Sequence, residues 1–370
     1  MGWLAQAIGT GLVLLAIADI YLTVLYPRGD KGIVSVPLSR GLWQLFRLAG
    51  RAGAKRNRTD AKRLLVRDRI LSFMGPTLLV TTVAIWILLL LFGFALIAWP
   101  ALGKEIQMEM GETPTDFMTA IYYSGFSLAT LGTGDITPRT GTYRLLMVLE
   151  TILGFSTLTM TLTYFESVYS QLIQRNSFAL SLYNRTGRTA DAAEMLARFG
   201  TSGSFDSSTK QTISNMAQSL LNILETHHSY PALGYFRLQE SYYSLARIAF
   251  TIMDAVTLIK SALSEEEYRS LVGSAAVKEL EESGMQFLHE LSQAFLPKGE
   301  RFVTTDSERD WRSRYDRAIE RLEAEEIKTV SNREAGADLY VTLRHGWNPY
   351  VMALSRYMEH EWSAIAPVND

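Results

Sequence analysis

Apolar residues fall into three long blocks in the first half of the chain and recur at helical spacing in the second. A helix that crosses the hydrocarbon core of a bilayer needs about 20 mostly apolar residues. Three segments reach that length. Trp3 to Tyr26 holds one acid, Asp19; Thr77 to Trp99 holds no charge; Thr142 to Val168 is more polar and holds Glu150 and Glu166. Gly75-Pro76 ahead of the second block suits a helix start, where proline's missing N–H has no helical partner to lose. Trp3, Tyr26 and Trp99 stand at span ends, the place of interfacial aromatics. The first block has no basic leader and no small-residue cleavage site, so it reads as a retained helix. Asp19 lies within two turns of that helix's basic end, which favours snorkelling or a nearby arginine partner.

Beyond residue 170 the period is helical throughout, as in Ile213, Met216, Leu220, Leu221 and Leu224. Ser264-Glu265-Glu266-Glu267 has the form of a capping box opening a helix to about Leu296, before Pro297. Further helices are expected over 307–329 and 334–361, the latter interrupted near Gly346–Pro349. Five to seven helices suffice for one bundle. Tyr169–Gly203 reads as a linker. No internal repeat occurs.

Charge divides the chain the same way. The 370 residues carry a net −2 and no cysteine, which excludes disulfides, thiolate metal sites and thiol redox switches and argues against a nucleic-acid binder. Residues 1–169 hold 15 Lys+Arg and 11 Asp+Glu, whereas residues 170–370 hold 21 and 27. Between Arg28 and Arg69 there are 12 basic and 3 acidic residues, while Pro100–Asp116 has one lysine against four acids. The basic loop is therefore expected in the cytoplasm and the acidic one outside, with the N-terminus outside and residues 170–370 cytoplasmic. Within the basic loop, Leu42, Trp43, Leu45, Phe46 and Ala49 share a helical face flanked by Arg40, Arg47 and Arg51. That pattern fits an interfacial helix on anionic lipid, or a loop that only sets topology.

The segment between the second and third spans, residues 113–141, is too short to cross twice as helix. Pro114 and Asp116 mark a helix start, and Phe117–Ala129 gives about three and a half turns of apolar and small residues. Thr130-Leu131-Gly132-Thr133-Gly134-Asp135 follows, then Pro138. A short helix ending at a Gly-x-Gly turn inside a membrane is a re-entrant loop, tolerated only where protein or a watery cavity satisfies its backbone. Glycines at alternate positions let successive carbonyls point the same way. Four copies around an axis would stack those carbonyls into rings that replace the hydration shell of a cation.

Thr130–Asp135 resembles the selectivity-filter signature Thr-Val-Gly-Tyr-Gly-Asp of the tetrameric pore-loop potassium channel family. Tyr122 and Tyr123 stand where that family carries paired aromatics that cuff the filter, and Gly154 stands where it commonly has an inner-helix hinge. The resemblance covers roughly residues 77–168 and implies a homotetramer. Potassium would bind at the carbonyls of Thr130, Leu131, Gly132, Thr133 and Gly134, with Tyr122, Tyr123, Asp135 and Glu150 as support. Gly154, Thr157, Thr161 and Glu166 would hinge or line the pore. Thr133 departs from the family's Tyr or Phe and cannot reach the cuff. Phe126 departs from the Glu that some members pair with the filter aspartate, so Asp135 needs another partner.

The expected fold is all-α: three transmembrane helices plus a re-entrant pore helix, and a cytoplasmic helical bundle. Its parts are residues 1–27 (extra N-terminal span), 28–75 (basic loop), 76–168 (pore module), 169–203 (linker) and 204–370 (helical domain). The expected function is a plasma-membrane cation channel that selects or prefers potassium. Two alternatives stand beside it: a non-selective monovalent channel, because of Thr133, and a membrane-anchored receptor or scaffold with a poorly conducting pore.

Several regulatory and catalytic signatures are absent from the sequence. It has no strand-linked G-x-G-x-x-G, no β-rich cyclic-nucleotide module, no arginine-rich voltage-sensor span and no nucleophile-elbow spacing. No enzyme activity, cofactor or nucleic-acid partner is expected, and any ligand of the helical domain is unknown. Glu225-x-x-His228 and Glu359-His360-Glu361 read as hydrogen-bonding groups rather than metal ligands. Arg312, Arg314, Arg317 and Arg321 read as a solvated helix face.

Overall fold

Long apolar stretches without interior proline close every backbone hydrogen bond within a helix, the form that leaves no polar group facing lipid. The computed structural model describes residues 2–26, 32–55, 59–132, 134–200, 203–296 and 306–367. Helix α1 (Gly2–Ile20) continues as a wider-turned segment, Tyr21–Leu25. There follow α2 (Ser35–Lys55), α3 (Asp60–Ser72), α4 (Met74–Ala98), the short α5 (Phe117–Leu128) and α6 (Gly141–Arg185), which runs 45 residues without a break. Strands β1 (Ile106–Met108) and β2 (Ile136–Pro138) pair antiparallel, with Gln107 opposite Thr137. Gly2–Leu25, Ala61–Ala101 and Gly141–Arg185 are long and apolar enough to cross a membrane.

The chain folds as two units. One comprises Met1–Leu48, Phe73–Ser170 and His228–Tyr235; the other comprises Ala49–Ser72, Gln171–His227 and Phe236–Asp370.

In the first unit α1 and α4 meet at glycines. A Cβ on Gly9 would overlap the Gly93 carbonyl oxygen, and one on Gly93 would lie 2.7 Å from Val13 Cγ2. Small residues let helix backbones approach closely where no hydrophobic effect drives them together. Asp19 is buried to 1% exposure, and among the described residues its partners are backbone, serine and tryptophan groups rather than an arginine. It accepts hydrogen bonds from the Val34 N–H (2.8 Å), the Ser35 N–H (3.3 Å) and the Trp86 indole N–H (2.7 Å). The carboxylate thus holds free N–H groups at the start of α2 and locks α1 to α4. Asp19→Ala strands those donors and is expected to cost about 3 kcal/mol. Asp19→Asn, which keeps an acceptor, should cost less. Urea unfolding of the purified protein in detergent reads the difference.

Residues 228–235 fold with this unit. The Tyr235 ring lies 6.2 Å from Trp43, its hydroxyl accepts from Ser39 Oγ at 3.4 Å, and Tyr230 meets Tyr164 at 6.0 Å. The apolar face expected on α2 is therefore split: Trp43 is buried, while Leu45 is exposed.

The second unit is a helical bundle with its own core. After α6 come α7 (Ala192–Phe199), α8 (Ser207–Ser229), α9 (Leu245–Ser261), α10 (Glu265–Val272), α11 (Ala275–Phe295), α12 (Glu308–Glu323), α13 (Arg333–Tyr357) and α14 (Trp362–Ile365). Nearly every side chain of α9 is buried. Four expectations are corrected here. Residues 169–203 are no linker, because α6 continues to Arg185 and α7 places Ala192, Ala193, Met195 and Leu196 in the core. The helix expected from Ser264 to Leu296 is two, since Ser264 makes no side-chain cap and Gly273-Ser274 ends one helix and caps the next. The capping box belongs to Ser307 and Asp310. Helix α13 runs through Pro349 uninterrupted.

The Glu359-His360-Glu361 turn is tied by ions. Arg51 meets Glu359 at 2.7 Å, Arg67 meets Glu361 at 2.8 Å, and buried Arg237 meets Asp68 at 2.7 Å. Burial, together with the Arg237 and Arg67 charges, holds the His360 pKa well below its usual value. Its Nδ1 accepts from Arg237 at 3.4 Å. Arg51, expected at anionic lipid, is thus engaged by an acid of its own chain.

Candidate ion-conduction site

The pore segment is built from its caps. Asp116 accepts from the Thr119 N–H (3.1 Å) and hydroxyl (2.8 Å), which fixes the start of α5. Those two bonds hold its carboxyl below the usual carboxylate range. The Thr130 N–H donates to Ser127 O and the Leu131 N–H to Phe126 O, both at 3.1 Å, so the segment expected as filter springs directly from the last turn of α5. Thr130 and Gly132 adopt left-handed backbone (φ +58° and +93°), and Leu131 between them does not. A left-handed threonine is strained by about 1–3 kcal/mol, and such strain clusters at functional sites. Thr130, Leu131 and Gly132 are exposed. Thr133 lies outside the described residues.

Downstream, β2 seats the exit of the filter. The Glu109 N–H donates to Asp135 O at 3.0 Å. Ile106 and Ile136 are buried with Ala95, Ala98 and Tyr123 in one apolar cluster. Asp135 has a partner that the sequence left open: the Tyr122 hydroxyl donates to its Oδ1 at 3.1 Å. Tyr123, Ser124 and Glu150 are all buried, and both the tyrosine and the serine lie beside the Glu150 carboxyl. Glu150 therefore sits behind the pore helix.

Helix α6 meets α5 at backbone range. The Thr151 hydroxyl donates to Ser127 O at 3.2 Å, and a Cβ on Gly154 would overlap the Leu128 carbonyl oxygen. The helix passes Gly154 without a break, and the Leu128 contact by itself calls for a glycine there. Thr157 and Thr161 are corrected as pore-lining residues. Each is about 5% exposed within its own chain, whereas a side chain facing an axis shared by copies is open in the single chain. Thr159, Thr163 and Glu166 are the exposed polar positions of this stretch. The structure thus brings together Tyr122 with Asp135, Tyr123 with Glu150, and Gly154 with the filter's root. It leaves Glu166 apart from them. Phe126, whose ring would lie 3.4 Å from a Cβ on Gly134, was not among the residues expected to support the filter.

Comparison with known proteins bears on the same segment. Residues 81–171, which include this loop, match a family model described as an ion channel. The chain is also similar to the uncharacterized membrane protein YdjJ of Bacillus subtilis (strain 168). The two are 27% identical over 293 residues, 78% of this chain and 79% of the relative. No solved structure matches. With its three apolar helices, the protein is a membrane protein.

Proposed function

We propose that the chain is one subunit of a homotetrameric cation channel that selects or prefers potassium, with Thr130–Gly134 supplying the ion-binding carbonyls. One observation carries this reading. The segment after a capped pore helix is exposed and alternates backbone hand at Thr130, Leu131 and Gly132, within a domain matching ion channels. Alternating hand turns successive carbonyls to one side, and copies around an axis close them into rings. The exposed apolar positions of α6, including Leu145, Ile152, Phe155 and Leu162, supply surface for neighbouring copies or lipid. Charge asymmetry supports a plasma-membrane protein with its N-terminus outside and the helical bundle in the cytoplasm. No chemistry beyond ion passage is assigned to it.

The test is the purified protein in a planar bilayer with potassium on one side and sodium on the other. The expected reversal potential lies near the potassium equilibrium value. Gly132→Ala, which forces a side chain onto left-handed backbone, should abolish that selectivity. A wild-type reversal near zero would favour the non-selective channel, and absence of current the receptor or scaffold.

A further inference from the structure

Residues 228–235 fold with the membrane unit, although the chain on both sides of them belongs to the helical bundle. Within them, Pro231–Tyr235 forms one tight helical turn, for which proline presets the backbone. A connection that only joined α8 to α9 would run over the surface. This one is inserted. Leu233, 1% exposed, and Tyr235 are buried, and the turn lies against α4. Just ahead of the turn, the Tyr230 ring meets Tyr164 of α6, with centroids 6.0 Å apart. Just after it, the Phe236 carbonyl accepts from Arg175 Nη2 at 2.9 Å, about three turns further along the same helix. Tyr164 stands on the back of α6. Neighbouring residues of a helix are about 100° apart, so Leu162 and Glu166, two positions away on either side, point the opposite way. Both are exposed, whereas Tyr164 is 5% exposed.

We infer that residues 230–235 are an inhibitory wedge, which fills the space behind Tyr164 and holds α6 toward its exposed side. The inference rests on the proposed conduction pathway, with the exposed face of α6 turned to an axis shared by copies. A passage bounded by helices widens when those helices move away from its axis. In a close-packed interior they can do so only if the group behind them gives way. Behind Tyr164 that group is Tyr230, and the chain carrying it enters from the bundle and returns to it. A change in the bundle is thereby delivered to α6 without any contact at the filter. One aromatic pair is also a suitable catch, because its energy is small enough for a modest rearrangement to release it.

The experiment uses the full-length protein in proteoliposomes and reads the initial rate of rubidium uptake. Tyr230→Ala is expected to raise the rate about fivefold, the shift that losing one aromatic pair gives a two-state equilibrium. Tyr230→Phe keeps the ring and should take up rubidium at the wild-type rate. A merely structural role for Tyr230 would lower uptake in the alanine variant, not raise it. If that variant fails to assemble, a reversible bridge decides. The chain has no cysteine, so Tyr164→Cys combined with Tyr230→Cys supplies its only thiols. This pair should conduct faster than the wild type, fall to the wild-type rate or below when a bis-thiosulfonate crosslinker joins the two positions, and recover on reduction. A wild type that conducts, with no gain in the alanine variant or no effect of the bridge where the bridge is read, overturns this inference alone. No uptake by the wild type or by any variant overturns it together with the proposed conduction pathway.

Discussion

Gly154→Ala is expected to abolish cation flux although it adds one methyl group. The added Cβ would overlap the carbonyl oxygen of Leu128, the last residue of the pore helix. A backbone oxygen cannot swing aside as a side chain would, so the two helices must separate. Overpacking in a well-filled interior costs about 1–3 kcal/mol, more where backbone must shift. The displacement falls where it does most harm. One turn earlier the Thr151 hydroxyl donates to Ser127 O, and the next residues of the chain are Ala129 and Thr130. Because Leu131 is held by the Phe126 carbonyl, moving the end of α5 moves the proposed filter segment with it. Rubidium uptake into proteoliposomes measures the loss, and size-exclusion chromatography reports whether the proposed oligomer still forms. Gly141→Ala is the control on the same helix, since nothing lies within 4 Å of its built Cβ. Normal uptake by Gly154→Ala with normal assembly would show that the contact is dispensable.

What the sequence disclosed and what it hid divide on physical lines. The spans were legible because lipid imposes length and apolarity residue by residue, and the pore helix because Pro114 and Asp116 act locally. The turn after the pore helix was legible because alternate glycines state a backbone requirement directly. The partners of Asp19 were hidden because two of them are backbone N–H groups, which leave no mark on residue type. Its third partner, Trp86, is 67 positions away. The threonines of α6 were misassigned because polar residues at every second position populate several faces of a helix. Only the contact at Gly154 and Leu128 decides which of those faces turns inward. Residues 192–197 looked like linker because alanines score weakly as core, yet they permit the close packing of α7. Of the four arginines on α12 read as a solvated face, Arg314 is in fact drawn into the bundle, where its Nε donates to Asp254 at 3.2 Å. An arginine's stem and head divide between apolar and polar surroundings, so spacing alone does not place it.

That arginine leads to the second large effect, which lies in the helical bundle. Asp254→Ala should destabilise this unit by about 3–5 kcal/mol, the usual result of removing one partner from a buried ion pair. Asp254 and Arg344 are each 1% exposed and pair at 2.9 Å. Asp254 Oδ1 also accepts from the Tyr340 hydroxyl at 2.5 Å, and burial pushes that phenol's pKa up so that its proton stays in place. Four rings surround the Arg344 guanidinium, those of Phe250, Trp311, Tyr340 and Trp347, at 5.0–5.6 Å. Rings give a cation some favourable energy but no countercharge, so the loss of Asp254 strips Arg344 and Arg314 of the carboxylate they share. The damage reaches the chain's end as well, because Arg314 also donates to Pro367 O at 3.0 Å. In a unit of this size about 4 kcal/mol corresponds to a fall in melting temperature on the order of 10 °C. Tryptophan emission is the suitable probe, since Trp311 and Trp347 line the Arg344 cage. Asp254→Asn should lose less, because the amide oxygen still accepts from Tyr340. A triple variant, Asp254→Leu with Arg344→Met and Arg314→Leu, should recover much of the stability by removing the stranded charges. If Asp254→Ala melts with the wild type, the cluster does not hold the bundle together.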